Sequence, residues 1–425
     1  MREGYKESLL GLVPENWEIR RINDFVTEVK GGAALKPSDF VNKNGFPVIP
    51  KKSIVKGGQL SIDKSNPTFC SKQFADNNKN NIIDKDYIVT TLRDLVPSGP
   101  SIGYMVQFQS KDKFILAQGV YGFKINNDIS REFLIQYSNT LQFRKVMQKI
   151  KVGSTQVHIR NKDYFGVSIP LPPLPEQQKI AEILSTVDAK IEIIDQQISE
   201  TSVLKKGVMQ RLLTKGIGHT KFKNSVLGEI PESWEVVKVS EISDVIDSLH
   251  KTPFFSDRGY PMVRVGDINK PSLNLDKCLM VSKDVYLDFN KNHKPKRGDI
   301  LMTRVGSFGK TILVETDSGF CIGQNTVVIT GIETPKFLNF TFNSFLIQKQ
   351  LKLLTNGSSQ PSLSLKNIRN LSVLSPPIQE QIKISNVLNS IDDKLQVLSE
   401  KKVTYQELKQ GLMQQLLTGK VRVKV

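Results

Sequence analysis

Six residues, Gly306-Ser307-Phe308-Gly309-Lys310-Thr311, carry the types that cradle a phosphate: glycines with open backbone amides, a lysine and two hydroxyls. A nucleotide-binding loop of that kind needs a further glycine five positions before Gly309, and that position is Arg304. Without it the stretch reads as a tight turn between two strands, with Arg304 and Lys310 beside it. The chain around it is strongly basic: 59 Lys and Arg stand against 42 Asp and Glu, a formal net charge of +17. That excess points to a polyanion, and nucleic acid is the polyanion it suits. A Gly-Ser turn lets the backbone approach closely, and an adjacent arginine can offer a bidentate fork to a base edge. Arg304 is therefore the candidate base reader. Lys294, Lys296, Arg297, Ser307 and Lys310 complete the densest basic stretch around a loop, and its lysines and Arg297 suit phosphate contact.

Other chemistry lacks its residues. Cys70, Cys278 and Cys321 are far apart and without CxxC spacing, and His158, His219, His250 and His293 are equally scattered, so no metal site is expected. Sparse, odd cysteines fit reduced thiols in a cytosol, and a cytoplasmic location is expected. The segment MREGYKESLL has no apolar core of a leader, and no stretch approaches a membrane span. No amino-methylation motif, cofactor-binding glycine turn, nuclease cluster or catalytic triad is legible. Asp299, in a Gly-Asp-Ile-Leu run, reads as a turn former. The chain reads as non-catalytic.

The elements that must position these residues come in two copies. Tyr5 to Trp17 (YKESLLGLVPENW) matches Phe222 to Trp234 (FKNSVLGEIPESW) at seven of thirteen positions. Leu204 to Thr214 returns as Leu408 to Thr418 with eight of eleven identical. Each copy has an opening motif, a variable mixed region, a proline-rich elbow (Ile169 to Pro175; Val373 to Ile378) and a long helix. In the first helix Ile180, Leu184, Val187, Ile191, Ile194 and Ile198 alternate spacings of four and three; Ile384, Leu388, Ile391, Leu395 and Leu398 match them in the second. A narrow seam on a long helix needs a partner helix. Two equivalent helices related by a two-fold pack antiparallel. Gly216 and Gly419 are placed to end them, and interior Gly207 and Gly411 suggest a close backbone approach.

Anchors recur between motif and elbow: Gly45 to Ile49 with Gly259 to Val263, Gln118 with Gln324, and Gly153-Ser154-Thr155-Gln156 with Gly357-Ser358-Ser359-Gln360. The offset between copies falls from 217 residues at the opening motif to 204 from Phe133 onward, mostly lost between Gly45 and Gln118. Helices stay alike while domains diverge, as a reader of two unlike DNA half-sites requires. The expected class is α+β: two globular domains separated by two long antiparallel coiled-coil helices, in a pseudo-two-fold internal repeat. Residues 1–174 and 216–378 are the expected domains, with helices over 175–215 and 379–425, the latter including the C-terminal tail.

These residues resemble the DNA-specificity subunit of type I restriction–modification enzymes. The resemblance rests on Gly228 to Trp234 with Gly11 to Trp17, Pro170 to Ala181, Leu212 to Gly218, Arg264 to Ile268 and Gly298 to Leu301, and covers essentially the whole chain. It implies two target recognition domains, each reading half of a bipartite double-stranded DNA sequence. Its helices would dock two modification subunits that bring S-adenosylmethionine, with ATP- and Mg2+-dependent restriction subunits joining them and no cofactor in this chain. Lys36, Lys51, Lys52, Arg93, Lys251 and Arg264 join the DNA-contact candidates. The first copy departs from the pattern: Asp84 to Ile88 stands where the second has Arg297 to Leu301, and Leu92 to Pro100 replaces the Gly-Ser-Phe-Gly turn. The alternative in a neighbouring class is the specificity subunit of a fused methyltransferase–nuclease system without ATP-driven translocation. Rivals further off are a stand-alone nuclease and a structural coiled-coil linker.

Overall fold

The computed structural model describes residues 3–63, 65–268, 272–355 and 362–424. The chain forms two compact units, residues 1–196 with 400–425, and residues 197–399. The division falls inside each long helix, so each unit owns half of both, and residues 400–425 pack with the first unit rather than apart from it.

Each unit is built from the same parts. An opening hairpin, Tyr5–Ser8 with Gly11–Pro14, recurs as Phe222–Ser225 with Gly228–Pro231. A four-stranded antiparallel sheet follows, centred in unit 1 on Ile88–Thr91 beside Val120–Ile125, and in unit 2 on Ile300–Thr303 beside Thr326–Thr330. The two inner strands at Ile88 and Ile300 are buried at every position. That is why they read as unbroken runs of apolar residues and threonine rather than as alternating strands. A smaller mixed sheet carries a parallel pair, Phe46–Ile49 with Phe114–Leu116 and Tyr260–Val263 with Cys321–Ile322. Short helices pack on these sheets behind hydroxyl caps; Ser130 accepts from Phe133 N–H and Thr140 from Phe143 N–H, each worth about 1 kcal/mol.

Pairing fixes the alignment of the copies in the central strand. Ile88 lies level with Ile300, one residue away from the sequence expectation of Leu301. Tyr87 thus stands where unit 2 has Asp299, which is buried and bonded to His293, Thr330 and the Lys296 N–H. Asp299 is a turn former, as expected.

The proline elbows are more regular than the sequence suggests. Ser168–Leu171 is a strand paired with Glu18–Arg21, and Ser372–Ser375 one paired with Glu235–Lys238. Pro170 is tolerated because its sheet has only two strands, so its missing N–H can face outward. Pro175 falls in the first turn of the helix, where its N–H would be unpaired in any case.

The long helices, α1 (Leu174–Lys215, 42 residues) and α2 (Ile378–Leu416, 39 residues), run antiparallel within each unit. In unit 1 Asp188 pairs with Lys409 at 2.6 Å and Asp195 with Lys402 at 2.5 Å. In unit 2 Lys205 pairs with Asp392. Ile180 and Leu184 join Met413, Leu416 and Leu417 in the unit 1 core, while Ile384 and Leu388 join Leu213 in unit 2. Val187, Ile194 and Leu398 are buried too, whereas Ile191, Ile198, Ile391 and Leu395 are half-buried. The outer ends of the expected seam therefore fasten each helix to a domain core. Gly216 and Gly419 take positive φ of 64° and 71° just past the helix ends. The expected close approach at Gly207 and Gly411 is not found: a Cβ at either would meet nothing within 4 Å. Both lie on solvent-facing turns.

One device is repeated atom for atom. The buried Trp17 indole donates to Glu176 Oε2 at 3.0 Å, and Trp234 donates to Glu380 Oε2 at 2.9 Å, tying each opening motif to the first turn of a long helix. The next residues repeat as well: Gln177 accepts from Ser130 N–H and Gln381 from the Thr334 hydroxyl, and each donates to a proline carbonyl five residues back. The remaining partners differ. Glu176 takes both arms of Arg422 at 2.6 and 2.8 Å. Glu380 takes His219 Nε2 at 2.8 Å and the Ile217 N–H at 2.9 Å. Burial pushes the Glu380 carboxyl up, but the Ile217, Trp234 and His219 bonds outweigh it and hold it below its ordinary value.

Candidate nucleic-acid interface

In unit 1 the strand Ile88–Thr91 runs on through buried Leu92 into Arg93–Asp94, which pairs antiparallel with Val157–His158. Successive side chains of an extended ribbon point to opposite faces. Asp94 and Val157 are buried, while Arg93, Leu95, Gln156 and His158 are exposed. Asp94 is held by Lys51 Nζ at 3.3 Å and by the Ser101 N–H and hydroxyl at 3.1 and 2.8 Å. Burial would raise its carboxyl, but the Ser101 and Lys51 bonds hold it below the usual value. A cleft of about 470 Å³ lies here, lined by Lys51, Arg93, Gln118, Gln156 and His158 among others. Gly119, with φ of +85°, lets the Gln118 turn close over Arg93; a Cβ there would sit 3.3 Å from Arg93 Cβ. Lys36 is exposed just before the 3-10 turn Pro37–Asp39, and Lys52 is exposed on the 3-10 turn Lys51–Ser53.

Unit 2 builds the same end of its sheet with different side chains. Leu363 N–H bonds the Arg304 carbonyl at 2.9 Å, as Ile159 N–H bonds that of Leu92, and Val305 bridges Ser362 as Arg93 pairs with His158. Arg304 therefore stands at the position of Leu92, one residue past the strand Ile300–Thr303. Its Nη1 donates to both carboxylate oxygens of Asp247 at 2.7 Å and its Nε to the Leu363 carbonyl at 2.8 Å. With only 17% of the side chain exposed, its Nη1 and Nε are committed inside the unit. The expectation of Arg304 as the leading base reader is corrected on that ground. The glycine loop is the hairpin turn expected from sequence, between Ile300–Thr303 and Thr311–Leu313, with φ of +74° at Gly306 and +71° at Gly309. Ser307 gives its carbonyl to the Thr303 hydroxyl, and Lys310 is exposed.

The basic stretch from Lys294 to Lys310 does not form one patch. Lys294, Lys296 and Arg297 precede the strand Ile300–Thr303 and Lys310 follows the turn beyond it, so the buried strand separates them. Arg297 pairs with Asp317 at 2.9 Å and Lys251 with Asp288 at 2.9 Å, both on the surface. Arg264 lies with its guanidinium 5.7 Å from the Phe255 ring and its Nε 3.5 Å from Asp267. Gln324, the counterpart of Gln118, is exposed and donates to Thr252 at 3.3 Å. Among the described residues no group of three or more His, Cys, Asp or Glu could hold a metal ion, and no helix is long and apolar enough to cross a membrane. Sequence reasoning missed the ribbon because two-residue strands are too short to show alternation. Its one signal was the recurrence of Gln118 and Gln156 in the second copy.

A family model described as the type I restriction modification DNA specificity domain matches this chain twice, over residues 14–201 and 231–409. The chain belongs to that family. It is 30% identical to the type I restriction enzyme MjaVIII specificity subunit of Methanocaldococcus jannaschii, over 99% of this chain and 97% of that one. The EcoBI specificity subunit of Escherichia coli is 25% identical over 90% of this chain and 81% of its own. Among solved structures, the S subunit of a type I restriction–modification system from M. genitalium superposes with a TM-score of 0.58 at 15% identity, covering 94% of this chain and 96% of that one. A chain from a structural study of assembly and conformational transition in the type I R-M system gives 0.56 at 15% identity, over 96% and 99%. The α+β architecture of two domains with two long antiparallel helices is thereby shared with known specificity subunits. The reading of a non-catalytic chain agrees with relatives that are named for specificity.

Proposed function

We propose that the chain reads a bipartite, asymmetric DNA target, one half-site per domain, and docks two modification subunits on α1 and α2. The observation that carries this reading is where the two copies agree and where they part. The indole-to-glutamate bond and the glutamine-to-proline-carbonyl bond recur in both copies, whereas the ends of the central sheets differ: Leu92-Arg93 in one, Arg304-Val305 in the other. Identical scaffolding suits identical partners, and unlike sheet ends suit unlike half-sites. The helices also present matching exposed apolar side chains. Ile193 and Val397 are each 48% exposed, and Leu204 and Leu408 are 56% and 48%. Pairs of that kind are what two copies of one partner helix would cover. The modification subunits would bring S-adenosylmethionine, and ATP- and Mg2+-dependent restriction subunits would complete the assembly.

The test is methylome sequencing of cells that express the chain with its modification subunits. Exchanging residues 18–168 for those of another family member should rewrite one half of the modified motif and leave the other untouched. A change in both halves together would refute the one-domain, one-half-site reading. Replacing Leu204 and Leu408 with Asp should release the modification subunits in a pull-down while DNA binding by the chain persists.

A further inference from the structure

We infer that the ribbon of Arg93–Asp94 and Val157–His158 is the element of unit 1 that enters a DNA groove. In this reading Gln156 contacts a base that recurs in the second half-site, and Arg93 and His158 contact what is particular to the first. The inference rests on the specificity reading above and assigns its chemistry to atoms. A two-stranded ribbon is one of the two elements that the major groove admits. This one is anchored from beneath, with Leu92, Asp94 and Val157 all buried and Asp94 held by three bonds. Its outward face is left with a guanidinium, a carboxamide and an imidazole on the border of one cleft.

Charge separates these side chains by role. Lys51 is neutralised by Asp94, which leaves Arg93 as the cation of the cleft with no ion pair among the described residues. An arginine fork matches the two acceptors of guanine, and a carboxamide matches the acceptor and donor of adenine. Position is set by backbone that admits little change. Gly153 sits at φ of +109°, and a Cβ there would lie 2.1 Å from the Gln156 carbonyl oxygen, so only glycine closes the loop that presents Gln156.

The repeat then sorts the readers. Arg93 and His158 are replaced in unit 2 by Val305 and Ser362, which form the matching bridge. Gln156 is retained as Gln360, within a Gly-Ser-Ser-Gln run that lies outside the described residues. Side chains that change between copies would read what differs between half-sites, and the one that stays would read what they share.

The experiment uses the full chain expressed with its modification subunits, with modified positions mapped genome-wide. The wild-type chain should yield a two-part motif; no such motif would overturn both this inference and its parent reading. Arg93→Ala should relax one position of one half-site, with discrimination there falling roughly tenfold or more. Arg93→Lys keeps the charge and loses the fork, so it should relax the same position; it decides the matter if the alanine variant leaves no modification at all. Gln156→Ala and Gln360→Ala should relax the same base, one in each half-site. A two-part wild-type motif that stays equally sharp in Arg93→Lys and Gln156→Ala would overturn the ribbon alone. So would a loss spread evenly over both half-sites.

Discussion

Glu176 and Glu380 hold the same indole bond in the two units, yet one is closed by an arginine and the other by a histidine and a backbone amide. The segments that deliver these partners, residues 417–424 and 216–221, each follow the C-terminal end of a long helix. What the fold requires here is a donor to a buried carboxylate beside a tryptophan. Which donor supplies it is free to vary. A guanidinium and an imidazole with a backbone amide should nonetheless leave different signatures.

The largest effect tests the shared half of the comparison. Trp17→Ala and Trp234→Ala should each cost about 3–5 kcal/mol, for a lost ring in a close-packed site and the loss of one donor to a buried carboxylate. The chain has two tryptophans, one per unit, so the fluorescence left in each variant follows the other unit during urea unfolding. A midpoint shift that appears equally in the unmutated unit would deny the units separate cores.

Smaller effects test the half that differs. Arg422→Ala should destabilise unit 1 by about 1–2 kcal/mol, because Glu176 is buried while the arginine, 39% exposed, is partly screened. His219→Ala should cost less, about 1 kcal/mol, since the Ile217 and Trp234 donors remain. Equal losses in the two units would mean that the identity of the donor carries no weight. Arg304→Ala is expected to lower the stability of unit 2 by about 1–3 kcal/mol, because the half-buried Asp247 loses two bonds and keeps only His250, and the Leu363 carbonyl loses a donor. It should leave the recognised sequence unchanged; a relaxed half-site with intact stability would restore it as a reader.

The acid limb sharpens the contrast further. Glu380 has a folded value below its ordinary 4.5, so its contribution is complete above that pH and is lost as pH falls through the depressed value. The gap in stability between wild type and Glu380→Gln, followed by Trp234 fluorescence, should therefore close below about pH 4.5. A gap independent of pH would show that the carboxylate charge is not what the anchor uses. Smallest of all, Gly207→Ala and Gly411→Ala should each stabilise the helices by about 0.5–1 kcal/mol, because a Cβ meets open space at both. Loss of stability at either would point to a neighbour that the isolated chain lacks.

The large-scale order was legible because it is written in long signals. A match at seven of thirteen positions and a five-step heptad cannot arise from local accident, and they located both opening motifs and both helices. The turn at Gly306 was legible too, because a missing glycine removes a phosphate loop outright. Arg304 was misplaced for a physical reason. Its role depends on Asp247 and Leu363, 57 and 59 residues away, and on a strand pairing that sets it level with Leu92. Nothing local tells an arginine clamped to a half-buried carboxylate from one held out to solvent. The elbow misled likewise, since a proline that breaks a sheet interior is harmless in a two-stranded pair. The Gly207 expectation failed because a helix can carry a costly residue where nothing selects against it.

The ion pairs between α1 and α2 answer a question that the apolar seam leaves open. Rows of Ile and Leu pack equally well whichever way a neighbour points. The charges do not. Asp188 and Asp392 hold the same place in the two copies, and so do Lys205 and Lys409. Laid side by side in the same direction, the helices would set carboxylate against carboxylate and ammonium against ammonium. Laid head to tail, each acid meets a lysine. Duplicating a single helix with an acidic beginning and a basic end thus created a pair of arrows that attract only when opposed, and the direction of the scaffold was already encoded before the second copy existed.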